Sequence, residues 1–145
     1  MNGHMKPADI EKRSFAIITE ELGGRTFPEG VAEVVKRVIH TSADFDYADN
    51  LCFSPDAVEQ AKAALEAGAT IVTDTNMALA GISKPTIAKL GGRAVCLMAD
   101  EAVAREAKER GVTRATVSME HAAKLDGPLI FAIGNAPTAL VRLYE

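Results

Sequence analysis

At 145 residues, 48% hydrophobic and 25% charged, the chain has the make-up of one globular domain large enough to bury a core. Its net charge of −4 argues against a general nucleic-acid binder, which needs clustered Lys and Arg to neutralise phosphates, so an acidic small ligand would be met by a few local arginines. No run of about 18 apolar residues suggests a membrane span, and Cys52 and Cys96 form neither a disulfide framework nor a zinc spacing.

No charged, apolar and small-residue leader precedes the chain, which reads as cytoplasmic, with residues 1–5 a cloning remnant carrying His4 and residues 6–145 a single α/β domain. A first helix is expected over residues 9–22, stopped by Gly23 and Gly24, with Ile10, Ile17 and Ile18 turned inward. Ser14 falls on that inward stripe. Either its hydroxyl bonds back to a carbonyl one turn earlier, or the face looks into a ligand cavity with Arg13 beside it as a bidentate carboxylate contact.

Val31, Val34, Val35, Val38 and Ile39 recur at i, i+3, i+4, i+7 and i+8, the spacing of an amphipathic helix that Pro28 could open. At about 100° per residue the same helix carries His40 away from the valine stripe. The imidazole then emerges beside Thr41 and Ser42, just before Asp44, Asp46 and Tyr47, where it can exchange a proton with a ligand. An ordinary surface histidine is the competing account.

Ser54 as cap, Pro55 at the first position and Gly68 past the end mark another helix, with Val58, Ala61, Ala64 and Leu65 inward. Residues 69–73 read as a buried strand ending in Asp74, Thr75 and Asn76. Ligands of parallel sheets bind beyond strand carboxyl ends, which makes these three a second candidate cluster; a turn in which Asp74 or Thr75 caps the next segment explains them equally. Residues 77–82 are small and apolar, suited to a flat ligand or to core packing. A short helix over 83–90 follows, then a strand over 94–98 with Cys96 as a core residue, and a helix capped by Asp100 and ended by Gly111. A strand over 115–118 precedes a short helix on which His121, beside Glu120, is a solvated histidine. The strand over 129–133 runs into Asn135, with Pro137 opening a last helix. The alternation predicts an α/β, three-layer fold: a mostly parallel sheet with helices on both faces, preceded by an N-terminal helical segment.

Several stretches together resemble the precorrin-8X methylmutases: Ile10-Glu11-Lys12-Arg13-Ser14-Phe15, the histidine segment from Arg37 to Asn50, Phe53-Ser54-Pro55, Ile71-Val72-Thr73-Asp74-Thr75-Asn76-Met77-Ala78-Leu79-Ala80-Gly81-Ile82, and Ile133-Gly134-Asn135-Ala136-Pro137-Thr138. The resemblance implies an isomerase that moves a methyl group from ring carbon 11 to carbon 12 of precorrin-8X, or of its cobalt-containing counterpart, giving hydrogenobyrinate or cobyrinate. It implies no cofactor and no metal, a cytoplasmic homodimer with the site near the subunit boundary, and a C-terminal continuation with further strands. His40 would be the acid, oriented by Thr41 and Asp44. Arg13, Ser14, Thr41, Asp74, Thr75, Asn76, Arg114 and Asn135 would bind the polycarboxylate ring, with Arg37 a further arginine to consider. Two other readings remain: a non-catalytic tetrapyrrole or corrinoid carrier, and a nucleotide-binding doubly wound domain, against which stands the lack of any GxGxxG after a strand.

Overall fold

The computed structural model describes residues 6–145, so the expected cloning remnant lies outside the described residues. The chain divides into two compact units, one ending at Glu59 and the other Gln60–Glu145. The first holds α1 (Pro7–Leu22), α2 (Val31–Ser42) and α3 (Tyr47–Asn50), and the division falls inside α4 (Ala57–Glu66).

Pro7 opens α1 where its missing N–H costs no hydrogen bond, and Gly23, at φ 61°, closes the helix. Only Ile18 and Leu22 of α1 are buried, while Ile10 and Ile17 are about half exposed, so the expected three-isoleucine stripe reduces to an i, i+4 pair. That pair meets Val31, Val35 and Ile39 of α2, spaced one turn apart, with Phe27, Phe45 and Leu51 packed around them. Val35 and Ile39 are 1% exposed, and full burial of such side chains is worth about 1.5–3 kcal/mol each. Val34 stays exposed. The helix begins at Val31 after a left-handed Gly30 (φ 75°); Pro28, expected to open it, instead accepts the Val31 N–H on its carbonyl. Likewise α4 starts later than its Ser-Pro signature suggests. Ser54 accepts the Ala57 N–H through its carbonyl at 3.2 Å, Asp56 takes φ 57°, and no residue of α4 is fully buried.

The second unit carries β1 (Thr70–Thr73), α5 (Asn76–Gly81), α6 (Lys84–Lys89), β2 (Arg93–Val95), α7 (Glu101–Arg110), α8 (Arg114–Ala122), β3 (Leu129–Ala132) and α9 (Pro137–Tyr144). The three strands form a parallel sheet in the order β2-β1-β3, giving a mixed α/β fold. Val72 lies opposite Val95 on one side and Phe131 on the other. This apolar row packs against Ala115, Met119 and Ala122 of α8 and Ala139 of α9.

The expected strand over 115–118 is instead the first half of α8. Thr113 caps that helix, its Oγ1 accepting the Thr116 N–H at 3.1 Å, and Ala115, Ser118, Met119 and Ala122 are buried at helical spacing. The β-branched Thr116 and Val117 look strand-like alone, but the capping threonine and the tertiary packing prevail. Similarly, β2 ends at Val95, leaving Cys96 half-buried past the strand. Among the described residues no helix is long and apolar enough to cross a membrane.

Candidate functional site

In the first unit, α1 presents Glu11, Ser14 and Phe15 at i, i+3 and i+4, and α2 presents Arg37 and His40 at i and i+3, so each set shares one helix face. Ser14 and His40 line one shallow depression of about 220 Å3, with Ile17, Ile39, Ala43 and Phe45. Sites that enclose a drug-sized ligand run to about 300–1,000 Å3, so this hollow suits one edge or arm of a macrocycle, not a whole ring. Among the described residues Ser14 makes no back-bond to a carbonyl; Thr19 does, to Phe15, at 2.7 Å. The polar residue on the inward stripe therefore faces the hollow.

His40 is exposed, away from the buried Val35 and Ile39. Among the described residues its ring makes no hydrogen bond, which leaves both nitrogens for a ligand. The side chains expected to orient it are committed elsewhere. Thr41 Oγ1 donates to the Arg37 carbonyl at 3.0 Å, and Asp44 Oδ1 accepts the Asp46 N–H at 2.9 Å in a local turn. What touches the imidazole is Phe15, ring centroids 5.1 Å apart and planes tilted by 37°. The Arg37 guanidinium carbon lies 4.6 Å from the same Phe15 centroid, and Arg37 Nη1 pairs with Glu11 Oε1 at 2.7 Å. Arg37 is thus engaged within the unit. Arg13, exposed and without a hydrogen bond or ion pair among the described residues, stays free for a carboxylate.

The second unit gathers polar groups at the carboxyl ends of β1 and β3. Asp74, following the central strand, is 0% exposed. Its Oδ2 accepts the backbone N–H groups of Gly134 (3.2 Å), Asn135 (2.7 Å) and Ala136 (2.7 Å), while its Oδ1 is buried without a partner. Burial alone would raise this carboxyl, but the N–H donors outweigh it and hold its pKa below the ordinary carboxylate value. Asp74 therefore anchors the loop after β3 through Oδ2. Thr75 caps α5, Oγ1 accepting the Ala78 N–H at 3.1 Å, which bears out the turn reading of that residue. Asn76 and Asn135 remain exposed at the two strand ends, and Arg114, expected before a strand, is the exposed first residue of α8.

Two features escaped the sequence. Phe15 has no role in the sequence reading beyond its place in the Ile10–Phe15 stretch, although Arg37 and His40, one turn apart on α2, both lie against it. A charged network in the second unit also went unread. Arg110 grips Glu120 with two hydrogen bonds and pairs with Glu106 at 2.7 Å, Arg142 Nε donates to Glu120 at 2.9 Å, and His121 Nε2 meets Glu106 Oε2 at 2.7 Å. His121 is therefore tied into an ion network and is not simply solvated. Arg110 pulls the Glu120 carboxyl down to about 2, with Arg142 adding to the effect. Arg110 and then His121 hold Glu106 below its ordinary value. The hollow beside Glu120 and Arg142, of about 420 Å3, is larger than that at His40, and Arg142 there is already paired with Glu120 and Glu145.

Comparison with known proteins adds to this geometry. The family model for precorrin-8X methylmutase matches residues 9–145. The cobalt-precorrin-8 methylmutase of Priestia megaterium is 43% identical over 139 residues, covering 96% of this chain and 62% of its own length. That of Salmonella typhimurium is 44% identical, covering 97% of the chain and 70% of its own length. The chain thus spans 62% of the first relative and 70% of the second. Among solved structures, the precorrin-8x methyl mutase from Thermus thermophilus superposes with a TM-score of 0.82 at 36% identity, over 94% of this chain and 66% of that one.

Proposed function

The chain belongs to the precorrin-8X methylmutase family, and on that premise we propose that it is an isomerase of cobalamin biosynthesis. It moves a methyl group between adjacent carbons, 11 to 12, of the precorrin-8X ring or of its cobalt counterpart. Such a shift within a conjugated macrocycle is eased when a pyrrole-type nitrogen is protonated or hydrogen-bonded, because charge is then redistributed toward the migrating carbon. One histidine with a free ring nitrogen suffices as the acid. The observation that carries this reading is His40, exposed, without a hydrogen-bond partner among the described residues, and lining one hollow with Ser14.

Several ring carboxylates call for guanidinium partners. Arg13 in the first unit is exposed, as are Arg114, Asn76 and Asn135 in the second, and among the described residues their side chains donate no hydrogen bond. Asp74 serves indirectly by holding the Asn135 loop, and Thr75 by ending β1 in a capped turn. The working form is a cytoplasmic homodimer.

Incubation with precorrin-8X, followed by visible absorbance, tests the proposal. Conversion to the orange-pink hydrogenobyrinate chromophore is expected. A spectral shift that reverses when ligand is removed would instead identify a carrier, and an unchanged spectrum would overturn both.

A further inference from the structure

The His40 imidazole is exposed and makes no hydrogen bond among the described residues, yet its ring is not without support. An exposed side chain with two free torsions samples its rotamers in picoseconds to nanoseconds, and a proton donor must be held within a fraction of an ångström of its acceptor to be effective. Something other than a hydrogen bond therefore has to orient it. The contact present is with the half-buried Phe15, at a centroid separation of 5.1 Å and a tilt of 37°, inside the range in which aromatic pairs attract beyond simple area burial.

Phe15 is itself held in place. Arg37 lies 4.6 Å from the centre of the phenyl ring, a cation–π distance, and its Nη1 is fixed by Glu11 Oε1 at 2.7 Å. Glu11 and Phe15 stand one turn apart on α1, as Arg37 and His40 do on α2, so the four side chains form a continuous bracket between the two helices: carboxylate, guanidinium, phenyl, imidazole. Fixing Arg37 in this way also keeps it from being a carboxylate clamp, which separates its task from that of Arg13.

We infer that Phe15 is a positioning residue for His40, setting the angle of the imidazole with Arg37 and Glu11 bracing it from behind. The inference rests on the proton-donor reading of His40, and it extends that reading to a residue outside the lining of the His40 hollow.

The test compares Phe15→Leu, Phe15→Tyr and His40→Ala in the precorrin-8X assay, alongside carbon–proton correlation spectra of the histidine rings. In the unmutated protein the His40 ring protons should be displaced by the phenyl ring current, an observation that requires no variant to fold. Phe15→Leu should lower kcat by roughly tenfold to a hundredfold with KM within about twofold, and should return the His40 signals toward free-histidine positions. Phe15→Tyr, which keeps the ring, should restore both. If Phe15→Leu loosens the helix pair in a thermal melt, Phe15→Met provides the same comparison at similar volume. Should His40→Ala abolish turnover while the Phe15→Leu or Phe15→Met chain keeps its kcat, or should the unmutated His40 signals show no displacement, the positioning role is overturned and the acid role stands. Should His40→Ala itself turn over normally, the acid role fails and this inference with it.

Discussion

Asp74 Oδ2 accepts the backbone N–H of Asn135 at 2.7 Å, joining the end of the central strand to the loop after β3 across 61 residues of sequence. The neighbouring N–H groups of Gly134 and Ala136 converge on the same oxygen. A single carboxylate thus does for this loop what a nest of amides does for a bound anion, with the anion supplied by the chain itself.

Removing that anion should be costly. Asp74→Ala leaves three N–H donors without their acceptor and is expected to destabilise the fold by about 3 kcal/mol or more. Asp74→Asn, which keeps one acceptor but not the charge, should cost about half as much. Urea melts of both variants check this, and equal losses would mean that charge is immaterial. Because the folded carboxyl sits below its ordinary pKa, its contribution is complete above the unfolded value near about pH 4 and disappears as pH falls through the folded one.

Gly92 should tolerate no side chain. A Cβ there would stand 2.5 Å from the Ala69 carbonyl oxygen and 3.1 Å from Ile87 Cγ2. The first is backbone at the entrance to β1 and cannot swing aside. Gly92→Ala is expected to destabilise by about 2–3 kcal/mol, read as a lower urea midpoint, whereas an unchanged midpoint would mean that the strands part easily at this point.

Ala43 closes α2 in the left-handed conformation, at φ 56° and ψ 26°, which disfavours any residue with a Cβ by about 1 kcal/mol. Ala43→Gly should therefore raise stability by up to about 1 kcal/mol, seen as an upward shift in Tm. A drop would show that the methyl group, which lines the His40 hollow, matters more to packing than its backbone angle costs.

Glu120 joins α7 and α9 through Arg110 and Arg142. Both arginines are 40% exposed, so solvent screens the pairs and Glu120→Gln should cost only about 1 kcal/mol. With the Glu120 pKa lowered to about 2, the difference between variant and unmutated protein should be constant above about pH 5 and shrink as pH falls toward 2. It should also shrink in high salt. Insensitivity to both would remove the ion network from the account.

Much of this was legible before any coordinates. The spacing of Val31, Val35 and Ile39 defines a buried face that leaves His40 outside, and Asp100, Gly111 and Pro137 mark helix ends through purely local chemistry. Where local chemistry was ambiguous, tertiary contacts decided. Thr116 and Val117 fit a strand or a helix, and packing of Ala115, Met119 and Ala122 against Val72 selected the helix. Asp74 was identifiable as a strand-end carboxylate, but its partners lie some sixty residues away, and no local pattern announces a loop that turns its amides toward one oxygen. The Phe15 contact was hidden for a related reason: it depends on how α1 and α2 are rotated against each other, which periodicity on each helix constrains only loosely.

The most direct test of the central claim is a single-turnover measurement of His40→Ala with precorrin-8X. With His40 as the acid, the variant should still bind the macrocycle, with a dissociation constant within a few-fold of the unmutated chain, while the methyl shift slows by about a hundredfold or more. Product formation at the unmutated rate would contradict the account.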